Sequence, residues 1–145
     1  MNEQTKEAEL QEVYMEFQVV TKQLKQMQEQ LQTFEEQTQE LSTVHQTLGD
    51  LQKVPEGTEM LVPLSSGVYM TAQIKKMEHV TVNVGANVAV AKSIPDTQEL
   101  ITTQIEEISK YKDQLLRNIQ LLVARGKELE HHLEVLSAGT EQEST

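Results

Sequence analysis

From Leu10 to Leu48, apolar side chains return at spacings that alternate between three and four residues. One set reads Leu10, Phe17, Leu24, Leu31, Thr38, His45, and the other Val13, Val20, Met27, Phe34, Leu41, Leu48. Ten of these twelve are apolar, and a repeat of 3.5 residues makes a left-handed coiled-coil seam. Such a chain buries one stripe per helix rather than a globular core. The residues between are mostly Gln, Glu, Thr and Lys, and no Pro or Gly precedes Gly49. The spacing therefore predicts a helix of about 45 residues, about 65–70 Å long at 1.5 Å per residue. Gly49 begins its fraying and Pro55-Glu56-Gly57 ends it.

The C-terminal third has the same character. Pro95-Asp96-Thr97 is a helix start, with Ser93 or Asp96 available as the cap. The seam then runs Ile101, Ile105, Ile108, Lys112, Leu115, Ile119, Leu122, Gly126, Leu129, Leu133, Leu136, apolar at nine of eleven positions. Lys112 can carry its amine out of a seam along its alkyl stem. Gly126 marks a soft point or a bend. Ser137-Ala138-Gly139 closes the helix, and Thr140 to Thr145 reads as a polar tail.

Between the helices the period changes to two. Met60, Val62 and Leu64 alternate, as do Val68, Met70, Ala72 and Ile74, then Val80, Val82 and Val84, then Val88 and Val90. Ser65-Ser66-Gly67 and Gly85-Ala86-Asn87 are turn clusters. The reading is four short strands in two consecutive hairpins, joined through Lys75-Lys76-Met77-Glu78. The fold class is α+β, a long antiparallel two-helix coiled coil with two β-hairpins between the helices. The segments are residues 1–52 (first helix), 53–94 (hairpins), 95–137 (second helix) and 138–145 (flexible tail).

Composition agrees with long solvated helices. The 145 residues include no Trp, two Phe, three Tyr, three Pro and six Gly. The net charge is −11, carried by the flanks: residues 1–52 hold 10 acids and 3 bases, residues 96–145 hold 10 acids and 5 bases, and residues 53–95 hold 3 acids and 4 bases. Acidic surfaces repel phosphate backbones and anionic lipid, so neither nucleic acid nor a membrane is an expected partner. The absence of cysteine removes disulfides and thiol chemistry and suits a reducing cytosol. Residues 1–9 contain no secretory apolar stretch, and no run reaches the ~18–20 residues that span a bilayer. The expected location is cytoplasmic.

An isolated hairpin is marginal in water, and unpaired strand edges invite association. The strands are therefore expected to find their cover on other chains, through Val62, Leu64, Val68, Met70, Ile74, Val80, Val82, Val84, Val88 and Val90. The alternative is a small sheet folded back onto the helix ends. At the other end of an antiparallel coil, both chain termini meet. There lie Leu10, Val13, Tyr14 and Phe17 on one helix, and Leu129, Leu133, Val135 and Leu136 on the other. Tyr14 and Val135 fall outside the strict seam, where exposed apolar groups suit weak capture of non-native polypeptide. The plainer alternative is that these residues close the seam.

The middle of the chain resembles a known family. Leu61-Val62-Pro63-Leu64-Ser65-Ser66-Gly67-Val68-Tyr69 is similar to the first hairpin of prefoldin alpha-class subunits. His79-Val80-Thr81-Val82-Asn83-Val84-Gly85-Ala86-Asn87-Val88-Ala89-Val90 is similar to the second. The valine-glycine turn, the apolar strand after it and Lys92 are its most specific part, and two hairpins rather than one point to the alpha over the beta class. The family's alpha subunits often carry Gly-Ala-Gly where this chain has Ser65-Ser66-Gly67, and Ser65-Ser66 resembles eukaryotic alpha-class relatives; the archaeal type is favoured. The resemblance implies a hexamer of two alpha and four beta-class subunits, with hairpins forming a platform and coiled-coil tips clasping unfolded client proteins. It implies delivery to a group II chaperonin, with no nucleotide or other cofactor.

Catalytic constellations do not emerge from the residues. Gly85-Ala86-Asn87 lacks the Lys-Ser or Lys-Thr pair of a phosphate loop. His131 and His132 point about 100° apart on a helix and do not share one ion easily. His45 sits in the seam near Thr38, where an interhelical contact is the expected role. Carboxylates on an open coil lack a water-excluded pocket for acid–base chemistry. The expectation is a non-enzymatic chaperone subunit; the alternative is a coiled-coil adaptor that assembles through its hairpins and binds a folded partner.

Overall fold

The computed structural model describes residues 2–76 and 78–143, with side chains described as far as Gly139. The element order is α1 (Glu3–Leu51), β1 (Glu59–Ser65), β2 (Val68–Gln73), β3 (His79–Asn83), β4 (Ala89–Ser93) and α2 (Ile94–Glu143). The strands form two separate antiparallel pairs, β1 with β2 and β3 with β4. The connection between β2 and β3 includes Met77, which lies outside the described residues. The chain divides into two compact units: residues 1–36 with 109–145, and residues 37–108.

In the first unit, Val13, Val20 and Leu129 are buried, with Phe17, Leu24, Leu122, Leu133 and Leu136 packed on them. Every one of these is a seam residue of the heptad reading. Polar pairs bridge the helices beside the seam: Glu9 with His132 at 3.3 Å, and the ion pairs Glu16 with Arg125 at 2.7 Å and Glu35 with Lys112 at 3.3 Å. Numbers rise along α1 as they fall along α2, so the helices run antiparallel. Lys112 occupies its seam position and still delivers its amine to Glu35, the alkyl stem lying over the seam. The hydrogen bonds that Arg125 donates to Glu16, and then to Glu128, hold its guanidinium above its ordinary pKa. These pairs are exposed and fix register more than they add stability.

Gly126 leaves space where a seam side chain belongs. A β-carbon there meets Val20 Cγ1 at 3.7 Å, an ordinary contact, and the glycine does not take a positive φ. Gly126→Ala is therefore expected to stabilise the chain by about 0.5–1 kcal/mol, read as a higher thermal midpoint by circular dichroism. A lower midpoint would show that the helices need the glycine's close approach.

The end of α2 departs from the sequence expectation. The helix continues past Gly139 to Glu143. Gly139 keeps a negative φ and is half-buried, so it does not act as the left-handed terminator that a C-terminal glycine often supplies. The remaining tail residues, 144 and 145, lie outside the described residues.

The second unit has its own core. Leu48, Ile94 and Ile101 are buried, with Leu41, Val80 and Ile105 packed against them. Ile94, only 1% exposed, is the first residue of α2 and follows β4 without a loop. Of the two cap candidates, Ser93 serves: its Oγ accepts from the Asp96 amide at 3.2 Å. Asp96 then stands in the first turn, where a negative charge suits the helix dipole. Thr97 is buried, and its hydroxyl donates to the Ser93 carbonyl at 2.8 Å. Ser93→Ala should lower stability by about 1 kcal/mol, measurable as a drop in thermal midpoint; an unchanged midpoint would mean that another group takes over the Asp96 amide.

His45 is half-buried in the seam, and its carbonyl accepts from Gln98 Nε2 at 3.3 Å. The segment after α1 is tied to the end of β2: the Gly57 amide donates to the Ile74 carbonyl at 2.7 Å, and the Ile74 amide to the Thr58 carbonyl at 3.0 Å.

Candidate functional site: exposed strand pairs and helix ends

The register of the first strand pair shows two apolar faces. Met60 pairs with Ala72 and Val62 with Met70, while Leu61 pairs with Thr71 and Pro63 with Tyr69. Alternation places the first two pairs on one face and the last two on the other. Leu61 is 66% and Tyr69 60% exposed. The period-two reading assigned only the Met60 face and missed Leu61 and Tyr69. A signal was present: Met60-Leu61-Val62-Pro63-Leu64 is an unbroken apolar run, the pattern of a strand covered on both sides. Gly67 closes this hairpin at φ 78°, a backbone that costs a residue with a β-carbon about 1–2 kcal/mol.

The second pair has one apolar face. Val82 pairs with Val90 and Val80 with Lys92, whereas His79–Ser93, Thr81–Ala91 and Asn83–Ala89 make a more polar opposite face. Its turn holds three consecutive positive φ values, at Gly85, Ala86 and Asn87. Asn83 Oδ1 steadies it by accepting the Gly85 amide at 3.0 Å, and the Val84 amide donates to the Val88 carbonyl at 3.0 Å.

Of the ten strand residues singled out for assembly, Leu64, Val68, Met70, Val84, Val88 and Val90 are exposed, and Val62 and Val82 are half-buried. Two are covered by the chain itself. Ile74 is buried, with both backbone groups bonded to the loop after α1, and Val80 packs on the Leu48–Ile94–Ile101 cluster. The second hairpin is thus docked to the helix ends on one side, a contact that alternation alone does not specify. Each of the four strands has one paired edge and one without a strand partner among the described residues.

At the helix ends, the start of α1 and the end of α2 line one hollow of about 370 Å³, formed by Leu10, Gln11, Tyr14, Leu133 and Ser137. Leu10, Phe17, Leu133 and Leu136 are half-buried, Val13 and Leu129 are buried in the seam, and Tyr14 and Val135 are 53% and 56% exposed. The eight residues therefore divide: six close the seam and two stand free of it. Among the described residues, no three His, Asp or Glu side chains gather as a metal site, and no helix is long and apolar enough to cross a membrane.

Comparison with known proteins finds relatives of this chain. The prefoldin subunit family matches residues 20–139. The chain belongs to the prefoldin family. Its similarity is to the alpha class: the prefoldin alpha subunit of Thermofilum pendens is 33% identical over 91 residues, covering 63% of this chain and 70% of that one. The alpha subunit of Methanoculleus marisnigri is 27% identical over 97 residues, covering 67% and 64%. Human prefoldin subunit 5 is 32% identical over 73 residues, covering 50% and 47%, so the match spans about half of that relative. A cryo-EM structure of filamentous prefoldin from Methanocaldococcus jannaschii shares the fold, with a TM-score of 0.71 over 79% of this chain and 95% of that one at 22% identity. Prefoldin subunits are non-enzymatic chaperone components, and they assemble with other prefoldin subunits.

Proposed function

We propose that this chain is the alpha-type subunit of a cytoplasmic, ATP-independent prefoldin hexamer, with two alpha and four beta-class subunits. Its strand pairs join those of its sisters, its helix ends hold unfolded polypeptide, and the client passes to a group II chaperonin. The observation that carries the assembly half is the two-faced first strand pair, whose exposed apolar side chains and edges have no cover among the described residues. The holding half is supported by Tyr14, exposed on the lip of a hollow that Leu10 and Leu133 floor. Weak contacts of this kind, made by several subunits at once, hold a client through effective concentration yet release it.

The test is suppression of aggregation. The chain, assembled with a beta-class partner, is mixed with several unrelated denatured proteins, without nucleotide. Protection of most of them is the expected result. Protection of none would leave an adaptor that binds one folded partner. Transfer is read separately, as refolding yield on adding a group II chaperonin.

A further inference from the structure

A hollow surface with apolar residues lies away from the helix ends, on one flank of the coil in the unit formed by residues 1–36 and 109–145. Two adjoining hollows, of about 470 and 240 Å³, share Met27, Gln30 and Asn118 as walls. Together they make one trough that Tyr111 and Leu121 border from α2. These two side chains are 64% and 72% exposed, far more than seam packing leaves.

The trough is uncharged. The chain carries −11, and a quarter of its residues are charged, yet no Asp, Glu, Lys or Arg lines either hollow. Nearer the helix ends, the matching flank positions are the pair Glu9–His132 and the ion pair Glu16–Arg125. Across the trough the equivalent flank residues are Gln23 and Gln30 facing Asn118. Each amide offers two donors and an acceptor, so it can meet either an N–H or a C=O whichever way a bound backbone runs. The floor, meanwhile, is apolar, with Met27 and Phe34 in it.

We infer that this trough binds a short extended stretch of uncharged, apolar polypeptide. From Gln23 to Phe34 a helix rises about 16 Å, the reach of about five extended residues. A helical occupant has its backbone bonded internally and leaves the amides unused. A charged occupant meets no counter-charge in the walls. An unfolded segment brings both apolar side chains and unpaired backbone groups. The inference rests on the reading of this protein as a polypeptide-holding subunit, and adds to it a contact that is independent of Tyr14 and Val135.

The experiment uses the full chain and fluorescein-labelled peptides of two kinds, one uncharged and apolar, one acidic, with binding read by fluorescence anisotropy. Tyr111→Gln with Leu121→Gln should weaken the uncharged peptide about fivefold, since two exposed apolar surfaces are lost. Helicity and sedimentation should not change, because neither side chain is in the seam. The acidic peptide should bind more weakly than the uncharged one to the unaltered chain. Unchanged affinity in the double variant, with Tyr14→Ser plus Val135→Ser abolishing it, overturns the trough and leaves the holding function intact. Altered sedimentation overturns it in favour of an interface between copies. Absence of both peptide binding and client protection in the unaltered chain overturns the holding function itself, and the trough with it.

Discussion

A chain carrying Val82→Lys and Val84→Lys is expected to lose assembly and sediment as a small species while its helices stay folded. Val82 and Val90 form a cross-strand pair on the apolar face of the second hairpin, and Val84 is 55% exposed near its turn. Placing an ammonium on that face forces desolvation of a charge whenever another chain covers it. In the lone chain the cost is small, because Val84 already meets water. The helical circular dichroism should therefore survive, since the seam residues are untouched. Leu64→Lys with Met70→Lys is the companion variant. It tests the first strand pair, and its positions are exposed in the chain alone. If both double variants still run at full assembly mass beside a beta-class partner, the strand pairs are not the interface. Val80→Asp is the wrong probe, because Val80 packs on Leu48 and Ile94. A charge there would unfold the chain's own core before it reported on assembly.

The second large effect concerns client holding. Tyr14→Ser with Val135→Ser should reduce protection of denatured clients severalfold, with assembly unchanged. Both side chains are more than half exposed, so replacing them removes apolar surface offered to a client without opening a cavity. Each full apolar burial on a client is worth about 1.5–3 kcal/mol, and several subunits contribute in parallel. Deleting residues 1–14 and 133–145 is the blunter form of the same test. It also removes Val13 from the buried trio with Val20 and Leu129, newly exposing seam residues that can themselves bind clients. The point variants avoid that ambiguity. Full protection by the doubly substituted assembly would move the holding site elsewhere on the chain.

Much of this architecture is written in local periodicity. A 3.5-residue repeat gives the same seam whatever surrounds it, so Leu10 to Leu48 and Ile101 to Leu136 were readable, down to Lys112 in the seam. The two hairpins were readable for a similar reason: alternation and turn residues act over a few positions, and Gly67 and Gly85 take the positive φ that their turns need. Ser93 as a cap was one of two candidates, and the choice waited on whether the Ser93 hydroxyl oxygen reached the Asp96 amide.

Other features depend on what approaches an element from outside, which no local pattern encodes. Val80 reads like Val82 and Val84 along its strand, but only Val80 packs on the helix cluster. Ile74 ends its strand as one more alternating residue, and is buried because the loop after α1 closes over it through two backbone hydrogen bonds. Gly139 could have ended α2 and instead stays helical, since glycine permits a left-handed turn without demanding one. The sequence alone thus determined which residues form helices, seam and strands, because those follow from chain geometry. Only the tertiary structure decided which apolar side chains are already satisfied and which are left for a partner, because burial is a property of the neighbours rather than of the residue.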